Sequence, residues 1–469
     1  MATGRTSSRW SAIAPVREVT ISWRIADLRA RSIESDQTIH LLSLMQARPC
    51  RRASTGLQRV GAAVDVGRDS RRRENNLREP GTAIHRVKLN NFDVIRLVAA
   101  LQVLYVHGVS SLNVAHPVWL LNTVKLFPGV PIFYFVSGML ISMSWENNSR
   151  VREYARNRIL RIYPALIVCT ALAVSSVFAA GYLWNDQATV PKFGAWVLGQ
   201  ITIAQFFTPQ FMRGYGVGAL NGSLGTLTVE LQFYILVPLL YFLLRMASRA
   251  RRHTNLALLA LILVFLGANT EFNHRGGQFN PANSMKLLDV SFIPWLYMFL
   301  LGVLVQRNFD RVLGFVHGRA VAFGTAYVVC ASFARSRLHW QVSNAIHPLL
   351  FVLLAMFVLS CAYTSPTLAS RLLRRNDISY GVYIFHMPVF NLLVYKGGLG
   401  KNSSLAIGTL VAVTLGALSW MLLERPILRF KRNSLRPGEE ELTTSSTTDP
   451  IAATSPQQLT PAPHISRLD

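Results

Sequence analysis

Long apolar stretches alternate with short polar segments through the middle of the chain. A helix needs about 20 consecutive apolar residues to cross the hydrocarbon core of a bilayer, and such stretches recur between residues 92 and 423. Because backbone polar groups in lipid must bond within their own helix, the pattern predicts an all-α, polytopic membrane helix bundle. We expect about ten transmembrane helices, near residues 92–112, 126–144, 162–181, 223–244, 255–270, 289–306, 319–334, 344–363, 378–396 and 404–423.

The loops between these stretches predict the orientation of the bundle. With the predicted spans, the arginine clusters all fall on one side of the membrane, together with both termini. Basic loops stay in the cytoplasm, so we expect both termini on the cytoplasmic side of a bacterial inner membrane. One shorter apolar stretch, residues 193–207, would invert the later clusters if it crossed, so we interpret it as re-entrant or interfacial. The clusters are Arg150–Arg161, Arg245–Arg252, Arg307–Arg319 and Arg371–Arg375.

The two ends of the chain differ from its middle. Residues 1–85 are rich in Arg, contain no Lys and lack the apolar core of a secretory signal. Residues 431–469 are rich in Ser, Thr and Pro. Both compositions predict disorder, which leaves residues 86–430 as the membrane domain.

Composition agrees with a location in the lipid bilayer. The 469-residue chain is 51% hydrophobic and only 15% charged, which is too apolar for an ordinary soluble protein of this size. Its net charge of +25 could suggest a nucleic-acid partner, but the arginines lie between apolar stretches, as in cytoplasmic loops. We therefore expect no nucleic acid. Nor do we expect a metal site, because no metal or redox spacing relates Cys50, Cys169, Cys330 and Cys361.

The first predicted helix carries Asp93, Arg96 and His107. Ionisable groups in hydrocarbon are costly unless paired, so they are the first candidates for function. Arg96 and His107 lie close to three helical turns apart and so share a face, about 16 Å from each other along the axis. One interpretation is an interfacial Asp93–Arg96 pair with His107 near the opposite headgroups. The alternative makes Arg96 a contact for an anionic ligand and His107 a base.

The fourth predicted span carries Thr226, Glu230 and Tyr234 at four-residue spacing. This polar stripe should face the bundle interior, where the carboxylate needs a partner. Glu230 lies about seven residues from the outer end, at a depth comparable to that of His107. We therefore expect that the two side chains can meet.

The ninth predicted span places Ser379, Tyr383 and His386 on one helical face, and Pro388 predicts a kink. A layer of interhelical hydrogen bonds would explain these groups without a function. A functional interpretation would make the same layer part of a site.

Other features have structural and functional interpretations as well. Small residues such as Ser137, Gly138 and Gly302 usually serve helix packing, within or between chains, so the oligomeric state stays open.

A run that alternates arginine with apolar residues precedes the third span. It fits positive-inside anchoring, with phosphate binding as the sharper alternative. Its arginines are Arg156, Arg158 and Arg161.

Together and in this order, these pieces resemble the acyltransferase-3 family of integral membrane acyltransferases over residues 88–430. There is one departure. The family often has Trp before the Thr of Asn-Gly-Ser-Leu-Trp-Thr-Leu, whereas this chain has Gly225, so the acceptor pocket is expected to differ. The resemblance rests on Asp93 with Arg96 and His107, on Phe133–Gly138, Arg158–Pro164, Asn221–Tyr234 and Ser379–His386, and on Glu424–Pro426.

The resemblance implies the same helix count and a cytoplasmic acyl-CoA donor. It implies acceptors such as surface polysaccharide, lipopolysaccharide, lipid-linked sugars or antibiotics. It also makes Arg96 and His107 the hallmark catalytic pair and Glu230 functionally important. We therefore expect an O-acyltransferase that moves an acyl group, most simply acetyl from acetyl-CoA, to a hydroxyl of a carbohydrate or glycolipid.

In the expected mechanism, neutral His107 takes the acceptor proton, Glu230 or a nearby polar group orients the imidazole, and the hydroxyl attacks the thioester directly. Arg96 holds the pantetheine arm or the developing oxyanion. Acyl-CoA is then a co-substrate, and no tightly bound cofactor is needed. The expected donor-binding residues are Asp93, Arg156, Arg158 and Arg161, and the supporting polar layer is Ser137, Thr226, Tyr234, Ser379, Tyr383 and His386.

Two other classes of protein stay open from the residues alone. A transporter or flippase for a sugar or small anion would line its path with the same charges. A structural or sensory membrane protein would use Arg96, Glu230 and His107 as packing pairs.

Overall fold

The computed structural model describes residues 90–182, 189–247, 251–340, 342–365, 367–373 and 376–433. Over these ranges the protein is helical and contains no β-strand. The predicted disorder of residues 1–85 and of the tail beyond residue 433 lies outside the described residues.

The described helices follow the predicted apolar stretches closely, with short helices in several of the connections. A π-helical turn, Trp420–Glu424, joins the last two. The helices are α1 (Phe92–Leu112), α2 (Val118–Lys125), α3 (Gly129–Asn147), α4 (Val151–Ala179), α5 (Val190–Gln200), α6 (Leu224–Ala247), α7 (Arg251–His274), α8 (Asn283–Asp289), α9 (Leu296–Arg307), α10 (Phe309–Val316), α11 (Ala320–Arg337), α12 (Pro348–Thr364), α13 (Leu368–Leu372), α14 (Ser379–Tyr395), α15 (Asn402–Ser419) and α16 (Arg425–Asn433).

Each predicted span overlaps a helix, but not every one of these helices is long enough to cross a membrane. In the described part of the chain, 6 helices are long and apolar enough, or 7 if α10 and α11, which meet at 82°, form one broken span. α9 and α12 are apolar but have only 12 and 17 residues. The all-α membrane bundle is therefore confirmed, whereas the predicted count of ten is not.

The stretch at residues 193–207 is not among these candidate spans of the described chain. It forms α5, of 11 residues, followed by turns. The side chains of Trp196 and Gln200 both donate to the carbonyl of Phe207, each at 3.2 Å. The stretch thus folds back on itself, as a re-entrant or interfacial segment would.

Glycines let pairs of helices cross at backbone distance. A Cβ built on Gly138 of α3 would lie 2.1 Å from the carbonyl oxygen of Phe299 in α9, and one on Gly302 would lie 2.2 Å from that of Phe135. The prediction that Gly138 and Gly302 serve packing is confirmed, and the packing is within the chain.

α14 is buried along most of its length and packs against α1, α4 and α15. Pro388 lies inside this helix and has no N–H to bond the carbonyl of Ile384, four residues earlier. The amide of Asn221 donates to that carbonyl instead, at 2.8 Å. The proline thereby ties the segment before α6 to α14.

Candidate active site

Three groups of polar side chains lie among helices α1, α3, α4, α6 and α14. They are a charged cluster around Asp377, a hydroxyl and carboxylate layer around Glu230, and a pair of histidines. The same helices carry the residues that the sequence marked as candidates.

The charged cluster joins α1 and α4 to the segment that precedes α14. Arg96 donates to Asp377 Oδ2 at 2.5 Å, and Arg161 donates to the same oxygen. Ser379, the first residue of α14, donates through its hydroxyl to Asp377 Oδ1 at 2.5 Å. The side chains of Arg96 and Asp377 are only 15% and 7% exposed, so this is a buried cluster in which one carboxylate holds two guanidinium groups together.

The charges within the cluster keep the Asp377 carboxyl ionised. Burial alone would raise its pKa, but the Arg96 and Arg161 guanidinium groups outweigh burial and hold the pKa below its ordinary range. Arg96 forms its direct ion pair with Asp377 rather than with Asp93, although Asp93 lies close enough to interact electrostatically with Arg96, Arg161 and Asp377. No Asp93–Arg96 ion pair within 4.0 Å occurs among the described residues, because Arg96 reaches the more buried Asp377.

Glu230 is the centre of the second group. Its Oε1 accepts hydrogen bonds from Tyr234, at 2.6 Å, and from Ser137 in α3, at 3.2 Å. Thr226, one turn earlier on α6, shares a hydrogen bond with the hydroxyl of Tyr383 in α14. The layer therefore links α3, α6 and α14. Its α6 members are the three residues of the polar stripe that the sequence predicted.

The predicted phosphate-binding arginines separate from one another. Arg161 belongs to the Asp377 cluster. The guanidinium group of Arg158 lies over the rings of Tyr154 and Tyr234, at 5.5 and 5.4 Å from the ring centroids. At these distances the ring faces attract its positive charge. Arg156 is exposed on the surface of α4, so of the three it alone is fully open to a soluble anion.

The histidines form the third group. His107 Nδ1 lies 2.9 Å from His386 Nε2, with the ring centroids 5.1 Å apart. His386 is fully buried, and the ring of Tyr383 packs edge-on against it at 5.9 Å. A neutral imidazole that donates from Nδ1 leaves Nε2 as a base, so the pair can fix the tautomer of His107.

The expected meeting of Glu230 and His107 does not occur. Among the described residues, the carboxylate is bonded to Ser137 and Tyr234, and His107 is bonded to His386. Equal depth along two helices did not bring the side chains together, because depth fixes height in the membrane but not direction around the helix axis.

A narrow cavity of about 30 Å³ lies between the first two groups, lined among others by Arg96, Glu230, Tyr380 and Tyr383. That volume holds roughly a single water molecule. His107 does not line it, and Tyr383 stands between the cavity and the histidines. Any ligand larger than a water molecule therefore needs these side chains to move before it can enter.

Asp377 and Asn391 were missed from the sequence, and Asn221 was noted only as part of a motif, without a role of its own. Asp377 lies two residues before α14, where an Asp is ordinarily interpreted as a helix cap. Asn221 and Asn391 hold the segment before α6, since Asn391 Nδ2 donates to the carbonyls of Ala219 and Leu220 at 2.8 and 2.9 Å. The signal at Asn391 was an amide in an apolar helix, which in a membrane needs a partner, whereas Asn221 lies in the turn before α6.

Comparison with known proteins places this geometry in context. A sequence-family model described as an acyltransferase domain matches residues 89–423. Nodulation protein 10 of Rhizobium leguminosarum bv. viciae is 31% identical over 358 residues, which cover 73% of this chain and 94% of that protein. An O-acetyl transferase of Shigella phage Sf6 is 25% identical over 359 residues, 73% of this chain and 96% of that protein. No solved structure gives a significant match.

A more distant relative comes from another kind of bacterium. The acyltransferase MdmB of Streptomyces mycarofaciens is 23% identical over 330 residues, which cover 64% of this chain and 80% of that protein. All three relatives thus match this chain over most of their own length.

Proposed function

The chain belongs to the acyltransferase family whose domain spans residues 89–423, and from that premise we propose that it is a membrane O-acyltransferase. The proposed reaction moves acetyl from acetyl-CoA to a hydroxyl of a carbohydrate or glycolipid. The name of the phage relative, O-acetyl transferase, supports the acetyl group and the oxygen acceptor. The carbohydrate and the CoA donor rest on the resemblance drawn from the sequence motifs.

The contact between His107 and His386 carries the proposal. In the proposed tautomer, His107 Nδ1–H donates to His386 Nε2, which leaves His107 Nε2 unprotonated and aimed away from its partner. A positioned imidazole of this kind accelerates proton transfer by roughly 10²- to 10⁴-fold. A transporter would explain neither the match to an acyltransferase family nor the contact between the two imidazoles.

The proposed step needs no covalent enzyme intermediate. His107 Nε2 removes the proton of the acceptor hydroxyl as its oxygen bonds the thioester carbonyl carbon. The tetrahedral intermediate then breaks its C–S bond, and the CoA thiolate takes the proton from His107. Arg96, which lines the cavity and lies about 16 Å from His107 along α1, is proposed to hold the pantetheine arm of the donor.

Arg96 has to leave Asp377 to take that part. The cavity as it stands holds about one water molecule, so we place the incoming donor where its negative charges compete with Asp377 for Arg96. Arg161 would then keep Asp377 paired, and the carboxylate would not be left as an uncompensated buried charge. The open, solvent-facing Arg156 suits the CoA phosphates.

The test is acetyl transfer by membranes that contain the full-length protein. Membranes are incubated with radiolabelled acetyl-CoA, and label is measured in the extracted glycan and glycolipid fraction. His107→Ala should lower incorporation by 10²- to 10⁴-fold while the thermal stability of the purified protein is kept. His274→Ala, an exposed histidine at the end of α7, is the matched control and should act as the wild type. Full activity of His107→Ala would remove His107 from the mechanism.

A further inference from the structure

A second, larger cavity lies at one end of the bundle. Its volume is about 470 Å³, and its walls include Gln102 and Val106 of α1, Pro128 just before α3, and Arg335 near the end of α11. Val106 is the residue before His107. The cavity is therefore built on the same helix as the proposed base.

The cavity lies across the membrane from the arginine-rich face. A third cavity, of about 330 Å³, contains Glu146, Arg245 and Arg307. Pro128 and Glu146 are at opposite ends of α3, so the two cavities are separated by about 27 Å along this helix, close to the thickness of a hydrocarbon core of about 30 Å. Arg245 and Arg307 belong to the predicted cytoplasmic clusters, which places the 470 Å³ cavity on the opposite side.

Two cations face this cavity without a carboxylate to neutralise them. Lys125 and Arg335 both line it and are half-buried, and within the described ranges neither has an acidic side chain within 4.0 Å. Arg335 is oriented by a neutral group instead, since it donates to Asn122 Oδ1 at 2.6 Å. Among the described residues, the one acidic side chain bonded to the lining is Asp289, which accepts from Gln278 at 3.1 Å.

The rest of the lining suits a sugar. Trp340 lines the cavity, and its indole stacks on His347 with ring centroids 3.5 Å apart and 15° between the planes. Stacking fixes this aromatic surface, on which the CH face of a pyranose ring can pack. Ser343 and Asn344 add a hydroxyl and an amide to the lining, and a few such polar groups in an otherwise apolar pocket orient a small ligand.

We infer that this cavity binds an acidic sugar, a pyranose that carries a carboxylate or phosphate, as part of the acceptor. The inference rests on the proposed function for its biological role but not for the binding itself. Trp340 holds the ring, and Lys125 with Arg335 holds the anion, which brings the acceptor to the end of α1 that carries His107. An anionic lipid headgroup is the rival ligand of the same charge.

The inference is tested by binding without acetyl-CoA. The full-length protein is reconstituted in phosphatidylcholine nanodiscs, and calorimetry compares cellobiouronic acid with cellobiose, which differ only in that a carboxylate replaces one hydroxymethyl group. The acid should bind at least about tenfold more tightly. Lys125→Gln and Arg335→Gln should each weaken binding of the acid by about 10- to 100-fold and leave cellobiose unchanged. Trp340→Leu should weaken both.

The controls separate the possible failures. Lys286→Gln, an exposed lysine on α8, should bind the acid as the wild type does. Equal affinity for the two sugars, or no effect of Lys125→Gln, overturns the inference. So does displacement of the acid by phosphatidylglycerol in the nanodisc. If membranes fail to transfer acetyl but this binding pattern holds, the proposed function falls and the sugar site stands.

Discussion

His107 and His386 show how a single contact can define the chemistry of a side chain. On the helix by itself, His107 is an imidazole with either tautomer available. The 2.9 Å contact with the fully buried His386 favours one tautomer and one ring orientation. In the proposed mechanism His386 is therefore a positioning residue, which acts on the substrate only through His107.

Substitution of His386 tests this role. His386→Leu should lower kcat for acetyl transfer by about 100-fold, the order expected when a reacting group is misplaced by about 1 Å, with KM for acetyl-CoA unchanged. His386→Gln, whose amide can reach the position of Nε2, should recover much of the rate. Steady-state kinetics on purified protein give both values, and equal losses in the two variants would argue against positioning.

Asp377 is the second residue whose role depends on its neighbours. It neutralises Arg96 and Arg161 at once, and the removal of one partner from a buried ionic cluster typically costs about 3–5 kcal/mol. Asp377→Asn should therefore lower the thermal unfolding temperature in detergent by several degrees and also lower activity.

A matched variant controls for the loss of a carboxylate as such. Asp310→Asn alters an exposed aspartate in the first turn of α10 and should change the unfolding temperature little. If the two variants unfold at the same temperature, the Asp377 cluster does not stabilise the fold.

At the scale of elements, prolines and glycines decide which helices can form the site. Pro238 in α6 leaves the carbonyl of Tyr234 without its helical N–H partner, and Tyr154 of α4 donates to that carbonyl at 3.1 Å. Pro388 likewise frees the carbonyl of Ile384, which accepts a hydrogen bond from the amide of Asn221. Each proline thus exchanges a bond within a helix for a bond between elements at the site.

The crossing of α3 and α9 gives the prediction at this scale. Gly138→Ala would place a methyl group 2.1 Å from a backbone oxygen of α9, which can be relieved only if a helix moves. We expect a loss of stability at or above the usual 1–3 kcal/mol for overpacking, seen as a lower unfolding temperature. The displacement would also carry Ser137 away from Glu230.

Gly267→Ala is the matched control. Gly267 is a helical glycine in α7 with no atom within 4 Å of its added methyl group. The same substitution there should be neutral or slightly stabilising, because alanine favours helix over glycine by about 1 kcal/mol. A similar loss in both variants would show that the α3–α9 crossing is not tightly packed.

At the scale of the whole molecule, the arrangement predicts two chemically different faces. The cavity with Glu146, Arg245 and Arg307 lies at the end of α3 that leads into a predicted cytoplasmic arginine cluster. The cavity with Lys125, Arg335 and Trp340 lies at the other end. A donor from one side and an acceptor from the other would meet between them, near α1 and α14.

Cysteine labelling in intact cells tests this orientation. In a variant whose native cysteines are changed to alanine, Ser149→Cys and Ser284→Cys replace exposed serines between α3 and α4 and in α8. A membrane-impermeant maleimide should label residue 284 from outside the cell and residue 149 only after the membrane is broken. The reverse pattern would invert the predicted topology and place both termini outside.

The sequence by itself determined the class of protein, the approximate position of each helix and most of the candidate side chains. Hydropathy, helical spacing and the placement of arginines are local properties, and the surrounding lipid forces backbone bonds to stay within each helix. The stripe at Thr226, Glu230 and Tyr234 could be read for the same reason, because four-residue spacing on one helix fixes a shared face.

Tertiary structure alone decided which charges and hydrogen-bonding groups meet. Arg96 bonds a residue 281 positions away, and His107 one that is 279 positions away. Such partners depend on how helices rotate and cross, which is set by glycine contacts and proline-freed carbonyls rather than by any local period. Glu230 shows both sources: Tyr234 bonds it from one turn away on the same helix, as the spacing predicted, whereas Ser137 reaches it from α3, which only helix packing could decide.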